Sequence, residues 1–180
     1  KSRALYWQGR AAEAARDDAR SRSFYEQAAA HSTSFYGQLA AQRIGIDLQP
    51  LRVPPTPARG EQRDESVRAA ELLFASGEKE LAASLALDAA KYLESPAQVA
   101  SLAEVVTRQQ DAKLSLLYGK QASYRGIALD DVAFPAFGVP KYEELPGSAA
   151  RSIVFAIARQ ESAFDARAIS HAGAMGLMQM

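Results

Sequence analysis

The sequence predicts an all-α chain in which short helices, joined by short turns, follow one another as a helix-pair solenoid. Three observations carry that expectation. Alanine is abundant, and Leu, Glu, Gln and Arg, all good helix formers, are frequent among the remainder. Runs of alternating β-branched residues are absent. Glycines stand where helical segments should stop, at Gly45, Gly77 and Gly126.

The first helix is expected over 3–17, with Leu5, Ala12 and Ala15 as core contacts. A second covers 22–31, with Phe24, Tyr25 and Ala28, and a third 33–45, with Phe35, Tyr36, Leu39 and Ile44. Further helices are expected over 64–76, 79–94, 97–109 and 111–125, the last capped by Asp111. The stretch Tyr6-Trp7-x-Gly9-Arg10-x-x-Glu13-Ala14, followed by Tyr25 and Ala28, loosely echoes tetratricopeptide spacing but has no clean second copy. Aromatics at 6, 7, 24, 25, 35 and 36 recur at helical spacing, which favours core packing over ligand stacking.

Two stretches interrupt the helices. Residues 49–60 hold Pro50, Pro54, Pro55, Pro57 and Gly60 and read as an extended loop. Residues 127–147 mix Pro135, Pro140, Pro146 and Gly147 with Phe134, Phe137 and Tyr142, as in a connector pressed onto a surface. The expected organisation is a scaffold over 1–126, that connector, and the start of another domain over 148–180.

Composition narrows the partners. The 21 basic and 21 acidic residues cancel, so no overall field attracts nucleic acid or an anionic membrane. No apolar run reaches membrane-spanning length, and no signal peptide opens the chain. With no cysteine there are no disulfides, thiol nucleophiles or Cys-based zinc sites. His31 and His171 are far apart and lack further ligands, so neither metal nor cofactor is expected.

The chemistry concentrates near the end. A helix should begin at Ser148 as its N-cap and run to Glu161-Ser162. With Ile153 at zero and about 100° per residue, Ile157 falls at about 40°, Val154 at about 100° and Ala158 at about 140°. Glu161 falls at about 80°, inside this apolar stripe. A carboxylate on a buried helix face is costly unless paired or neutral. Desolvation keeps it protonated, as a general acid requires. An acid at a frayed helix end, reaching solvent or an arginine, stays open as the alternative. Gly173 and Gly176 permit close backbone approach. Leu177-Met178-Gln179 adds adaptable apolar surface and an amide.

Ala158-Arg159-Gln160-Glu161-Ser162-Ala163-Phe164-Asp165, followed by Ser170-x-Ala172-Gly173-Ala174-x-Gly176-Leu177-Met178-Gln179, resembles the signature of the soluble lytic transglycosylases. These Slt-type enzymes belong to the lysozyme-like glycoside hydrolase superfamily. Phe35-Tyr36-Gly37-Gln38-Leu39-Ala40 and the proline-broken stretch after it also resemble their helical region.

The resemblance implies a helical superhelix followed by the first helices of a lysozyme-like catalytic domain. It implies Glu161 as the single catalytic acid and Ser162 as its neighbour near the reacting sugar. Met178 and Gln179 would line the groove. It further implies cleavage of the MurNAc-β-1,4-GlcNAc bond with 1,6-anhydro-MurNAc as product, glycan strands and cell-wall proteins as partners, and the periplasm as location. Asp165 is expected as a cap or turn residue; as a second carboxylate it would point to hydrolysis. The family's Ala-Tyr-Asn stretch and downstream tyrosine do not occur before Met180. The chain is therefore expected to be an internal piece, truncated inside the catalytic domain and inactive by itself. The apolar face around Glu161 would then lack its packing partners. Competing readings are a non-catalytic helical scaffold that binds peptidoglycan or partner proteins, a lysozyme-type hydrolase, and a tetratricopeptide adaptor.

Overall fold

The computed structural model describes residues 1–53 and 64–180. Most of the loop expected over 49–60 thus lies outside the described residues. The chain is all-helical, with no named strand among the described residues and one isolated bridge, Ile169 to Met175. It divides into two compact units, Lys1–Arg52 and Val53–Met180.

The first unit holds α1 (Ser2–Ala14), α2 (Asp18–Ala29) and α3 (Phe35–Ile44). Asp17 accepts from the Arg20 amide and Ser34 from the Gly37 amide, so each side chain satisfies an orphan donor at its helix start. The Asp17 cap starts α2 four residues before the expected position. Tyr6, Tyr25, Ala28, Ala29, Ala40 and Ala41 form the core. Alanine at these contacts lets the three helices approach closely. Trp7 and Phe35 instead remain 54% and 70% exposed, lying at the edge of the Tyr6 and Tyr36 rings. Ala15, expected inside, is also exposed because α1 ends at Ala14 and buries Tyr6, Gly9 and Ala12.

Glu13 ties the three helices together. Its carboxylate accepts from Arg43 Nη2 at 2.7 Å, Arg43 Nε at 3.0 Å and the Tyr25 hydroxyl at 2.8 Å. Those bonds, Arg43's first, hold its pKa at about 2 rather than 4.5. A depressed carboxylate pKa contributes stability that is complete above the unfolded value and fades as pH falls through the folded one. The first unit should therefore loosen between about pH 4.5 and about pH 2. The Tyr25 ring resonances report this transition. Glu13→Gln should flatten the acid limb; an unchanged limb would assign it to other carboxylates.

The second unit holds α4 (Glu65–Ala75), α5 (Lys79–Tyr92), α6 (Pro96–Arg108), α7 (Ala112–Tyr124), α8 (Asp130–Ala133) and α9 (Arg151–Glu161). Ser95 and Gln98 form a capping box at α6, with Pro96 in the first turn. Asp111 caps α7 as expected. The Arg125 guanidinium donates to the carbonyls of Ala90 and Leu93, satisfying the C-terminal end of α5.

Helix α7 is the spine of this unit. Leu114, Tyr118 and Ala122 enter the main core with Val67, Ala70, Val99, Leu102 and Val106. The Tyr118 hydroxyl donates to the Val99 carbonyl at 2.8 Å. Ala112 and Leu116 enter a second cluster with Ala158 of α9 and Phe164. One helix thus joins the main core of this unit to the segment bearing Glu161.

The stretch 127–147 divides in two. Its first half packs down through Leu129, Val132 and Ala133 and includes α8, which the sequence does not announce. From Pro140 to Ala150 every residue is exposed. Ser148 is not a helix cap: its amide closes a turn onto the Leu145 carbonyl, and α9 starts after Ala150 with no side-chain cap.

Candidate active site

Glu161 is the last residue of α9 and is exposed. This corrects its expected place on the packed face. Helix α9 docks through Ala158, Phe155 and the Phe164 that comes after it. On the same helical wheel that face centres about 100° round from Glu161. Ile153 and Ile157, 51% and 41% exposed, share the open side with the carboxylate. Among the described residues Glu161 has no hydrogen-bond or ion-pair partner, which leaves both oxygens open to a ligand.

The residues after Glu161 fold back onto the end of α9. Amides of Ser162 and Phe164 both bond to the Ala158 carbonyl. Ala163 and Phe164 take left-handed conformations, at φ 53° and 65°. Two successive non-glycine residues there cost roughly 1–2 kcal/mol each. Burial of the Phe164 ring against Ala112, Leu116 and Ala158 offsets that strain. Ala163→Gly should then raise stability by about 1 kcal/mol, read as a higher urea midpoint at constant slope. A lower midpoint would mean that the Ala163 methyl matters more through packing.

Ser162 joins the two halves of the motif. Its hydroxyl lies 2.9 Å from the Leu177 carbonyl and 3.1 Å from that of Ala158, and its one proton goes to either. The Glu161-Ser162 and Gly176-Leu177-Met178-Gln179 segments are thereby held together. The Gly176 amide donates to the Ala168 carbonyl at 2.8 Å. Gln179 Nε2 donates to the carbonyls of Ala168 and Gly176, which fixes its amide and leaves Oε1 as the acceptor. Met178 is partly buried against the Phe164 cluster, as is Leu177. Gly173 and Gly176, at φ 87° and 73°, serve turns rather than close packing, since an added Cβ at either meets nothing nearer than 3.8 Å.

Asp165 is a turn residue, as expected, and also an anchor. Oδ1 accepts from the Arg167 amide at 2.9 Å and Oδ2 from Lys113 Nζ at 2.5 Å. The Lys113 bond is the main reason its pKa lies below the usual carboxylate value. Lys113 stands in α7, 52 residues upstream, and no local signal marks it as a partner of this loop. His171 is exposed and His31 sits at a turn. Burial, followed by the charges of Lys1, the N-terminus and Arg52, lowers the pKa of His31. Among the described residues no group of His, Asp or Glu could hold a metal, and no helix is long and apolar enough to cross a membrane.

Residues 141–180 match the family model of the transglycosylase SLT domain. Three solved structures align with the whole chain. They are the 70-kDa soluble lytic transglycosylase of Escherichia coli (TM-score 0.68, 25% identity), a 70-kDa soluble lytic transglycosylase in complex with bulgecin A (0.68, 25%), and an inactive glutamate-to-glutamine variant of lytic transglycosylase Slt from Pseudomonas aeruginosa (0.70, 26%). The chain resembles the soluble lytic transglycosylases along its whole length. It spans 29–30% of the length of these lytic transglycosylase chains. No curated protein matches it at a comparable level.

Proposed function

We propose that this chain carries the acid-bearing part of a peptidoglycan lytic transglycosylase, with Glu161 as sole acid and base. The observation that carries this reading is the junction at the end of α9. There an unpartnered Glu161 stands beside Ser162, whose hydroxyl reaches the Leu177 carbonyl at 2.9 Å. The end of α9 that carries the acid is thus tied to the Gly176–Gln179 loop. The inactive glutamate-to-glutamine variant of the Pseudomonas aeruginosa relative supports the need for a glutamate in such an enzyme.

In this mechanism Glu161 protonates the oxygen between N-acetylmuramic acid and N-acetylglucosamine as the bond from C1 to that oxygen breaks. The substrate's acetamido group stabilises the developing positive charge. Glu161, now a carboxylate, takes the proton from the muramyl C6 hydroxyl, whose oxygen closes on C1. The proton returns to its starting residue, and no water is consumed. Protonation of the bridging oxygen requires Glu161 to enter the reaction as the neutral acid. Ser162 and Gln179 position the loop, and Gln179 Oε1 is left to accept from a sugar amide or hydroxyl.

On this reading 1–126 is the scaffold, 127–147 the connector and 148–180 the opening of the lysozyme-like catalytic domain. The substrate places the enzyme in the periplasm, working on glycan strands alongside cell-wall proteins. The 180-residue chain by itself is expected not to cleave, since Glu161 stands exposed at the end of α9.

Digestion of purified peptidoglycan by the complete protein, with mass analysis of the products, tests the assignment. Anhydro-muramyl ends are expected. Reducing muramic ends would move the protein to the hydrolases. Peptidoglycan binding without any cleavage would leave a helical scaffold with an idle acid.

A further inference from the structure

A concavity lies in the second unit, where α8, the segment after it and α9 meet. Its volume is about 490 Å³, and Phe134, Pro135, Arg151, Phe155, Arg159 and Phe164 form most of its lining. That size suits a ligand of one or two residues. On α9, Phe155 and Arg159 lie about 120° and 160° round the axis from Glu161. The concavity is therefore distinct from the proposed acid site, and a ligand bound there is independent of the transglycosylase reading.

Two arginines lie against aromatic rings there, Arg159 partly buried and Arg151 exposed. The Arg159 guanidinium lies 4.3 Å from the centroid of the Phe134 ring, and that of Arg151 lies 5.2 Å from the centroid of Phe155. Ring faces hold cations in place without neutralising them. Among the described residues neither guanidinium has a carboxylate within ion-pairing distance. Arg159 is oriented by one bond, from Nε to the Ala133 carbonyl at 3.2 Å, and its terminal nitrogens have no described partner. Burial alone pulls its pKa down, with no acid acting in the other direction. A partly buried cation with no counter-ion is costly, and a bound anion offsets that cost.

The walls decide which anion fits. Three phenyl rings and a proline favour an apolar body beside the charge, and a planar carboxylate matches the guanidinium fork. We propose that this concavity binds the carboxylate terminus of a short apolar peptide, with Arg151 and Arg159 on the carboxylate and the terminal side chain among Phe134, Phe155 and Phe164.

The test is titration of the 180-residue chain with N-acetyl-phenylalanine and with its amide, followed by calorimetry and by NMR of backbone amides and arginine Nε groups. The acid should bind at least about tenfold more tightly than the amide, since the amide forfeits the charge-assisted bonds. Shifts should centre on Arg151, Phe155 and Arg159. Arg151→Gln should remove that preference with the thermal midpoint unchanged, and Arg151→Lys should restore part of it. Equal binding of acid and amide, binding of neither, shifts centred on the Ile153–Ile157 side, or tighter binding of phenyl phosphate than of the acid would each overturn the proposal.

Discussion

Glu161→Gln is expected to lower glycan cleavage by the complete protein by about 10²- to 10⁴-fold, the usual loss when a general acid is removed. The side chain keeps its size and polarity but can neither give nor recover a proton. Stability should change by less than about 0.5 kcal/mol, because Glu161 is exposed and has no described partner to lose. The two readouts must be taken together. A large activity loss with an unchanged urea midpoint assigns the proton to this side chain. A matching loss of stability would attribute the effect to unfolding, and full activity would remove Glu161 from the chemistry. Glu161→Asp is an informative companion, since it keeps the acid but withdraws it by one methylene. An intermediate rate there would separate reach from acidity.

Gly119→Val should be the most damaging single change to the fold of the second unit. A Cβ at Gly119 would stand 2.5 Å from the backbone nitrogen of Ala133 and 2.6 Å from its Cα. Backbone cannot swing aside as a flexible side chain would, so α8 must move off α7. Overpacking of this kind costs about 1–3 kcal/mol or more. The damage should also spread, because the Ala133 carbonyl orients Arg159 and the adjacent Phe134 ring lies under that guanidinium. Hydrogen exchange at Ala133 and Phe134, with the urea midpoint, measures both effects. Native protection at those amides would show that α8 accommodates the side chain where it stands.

The main helices are legible in the sequence because their signals are local. Propensity, glycine stops and the Asp111 cap act within a few residues, and observed boundaries fall within about four residues of those expected. Helix α8 is not legible. Four residues, Asp130–Ala133, carry no periodic pattern, and they are held by burial of Leu129, Val132 and Ala133 in a corner that only the folded chain creates. The apolar stripe of α9 can be read in the right order, but the side expected to pack is the wrong one. Ile153, Ile157 and Ala158 all count as apolar, and sequence alone does not tell that Phe155, Ala158 and Phe164 meet α7 while the isoleucines stay outside. At the site, Glu161, Ser162 and Gln179 are marked by their motif. The part Ser162 plays in holding Leu177 is not, because the two residues meet only after the chain reverses.

Lys113 and Asp165 leave a consequence for the environment in which the protein works. Beside the Phe164 plug, the tie between α7 and the loop after Glu161 is a half-open pair of opposite charges, and mobile ions compete with such a pair. Fresh water and brine would grip the loop differently, without altering a single residue of either helix. The alignment of the acid thereby becomes answerable to the ionic strength outside the molecule.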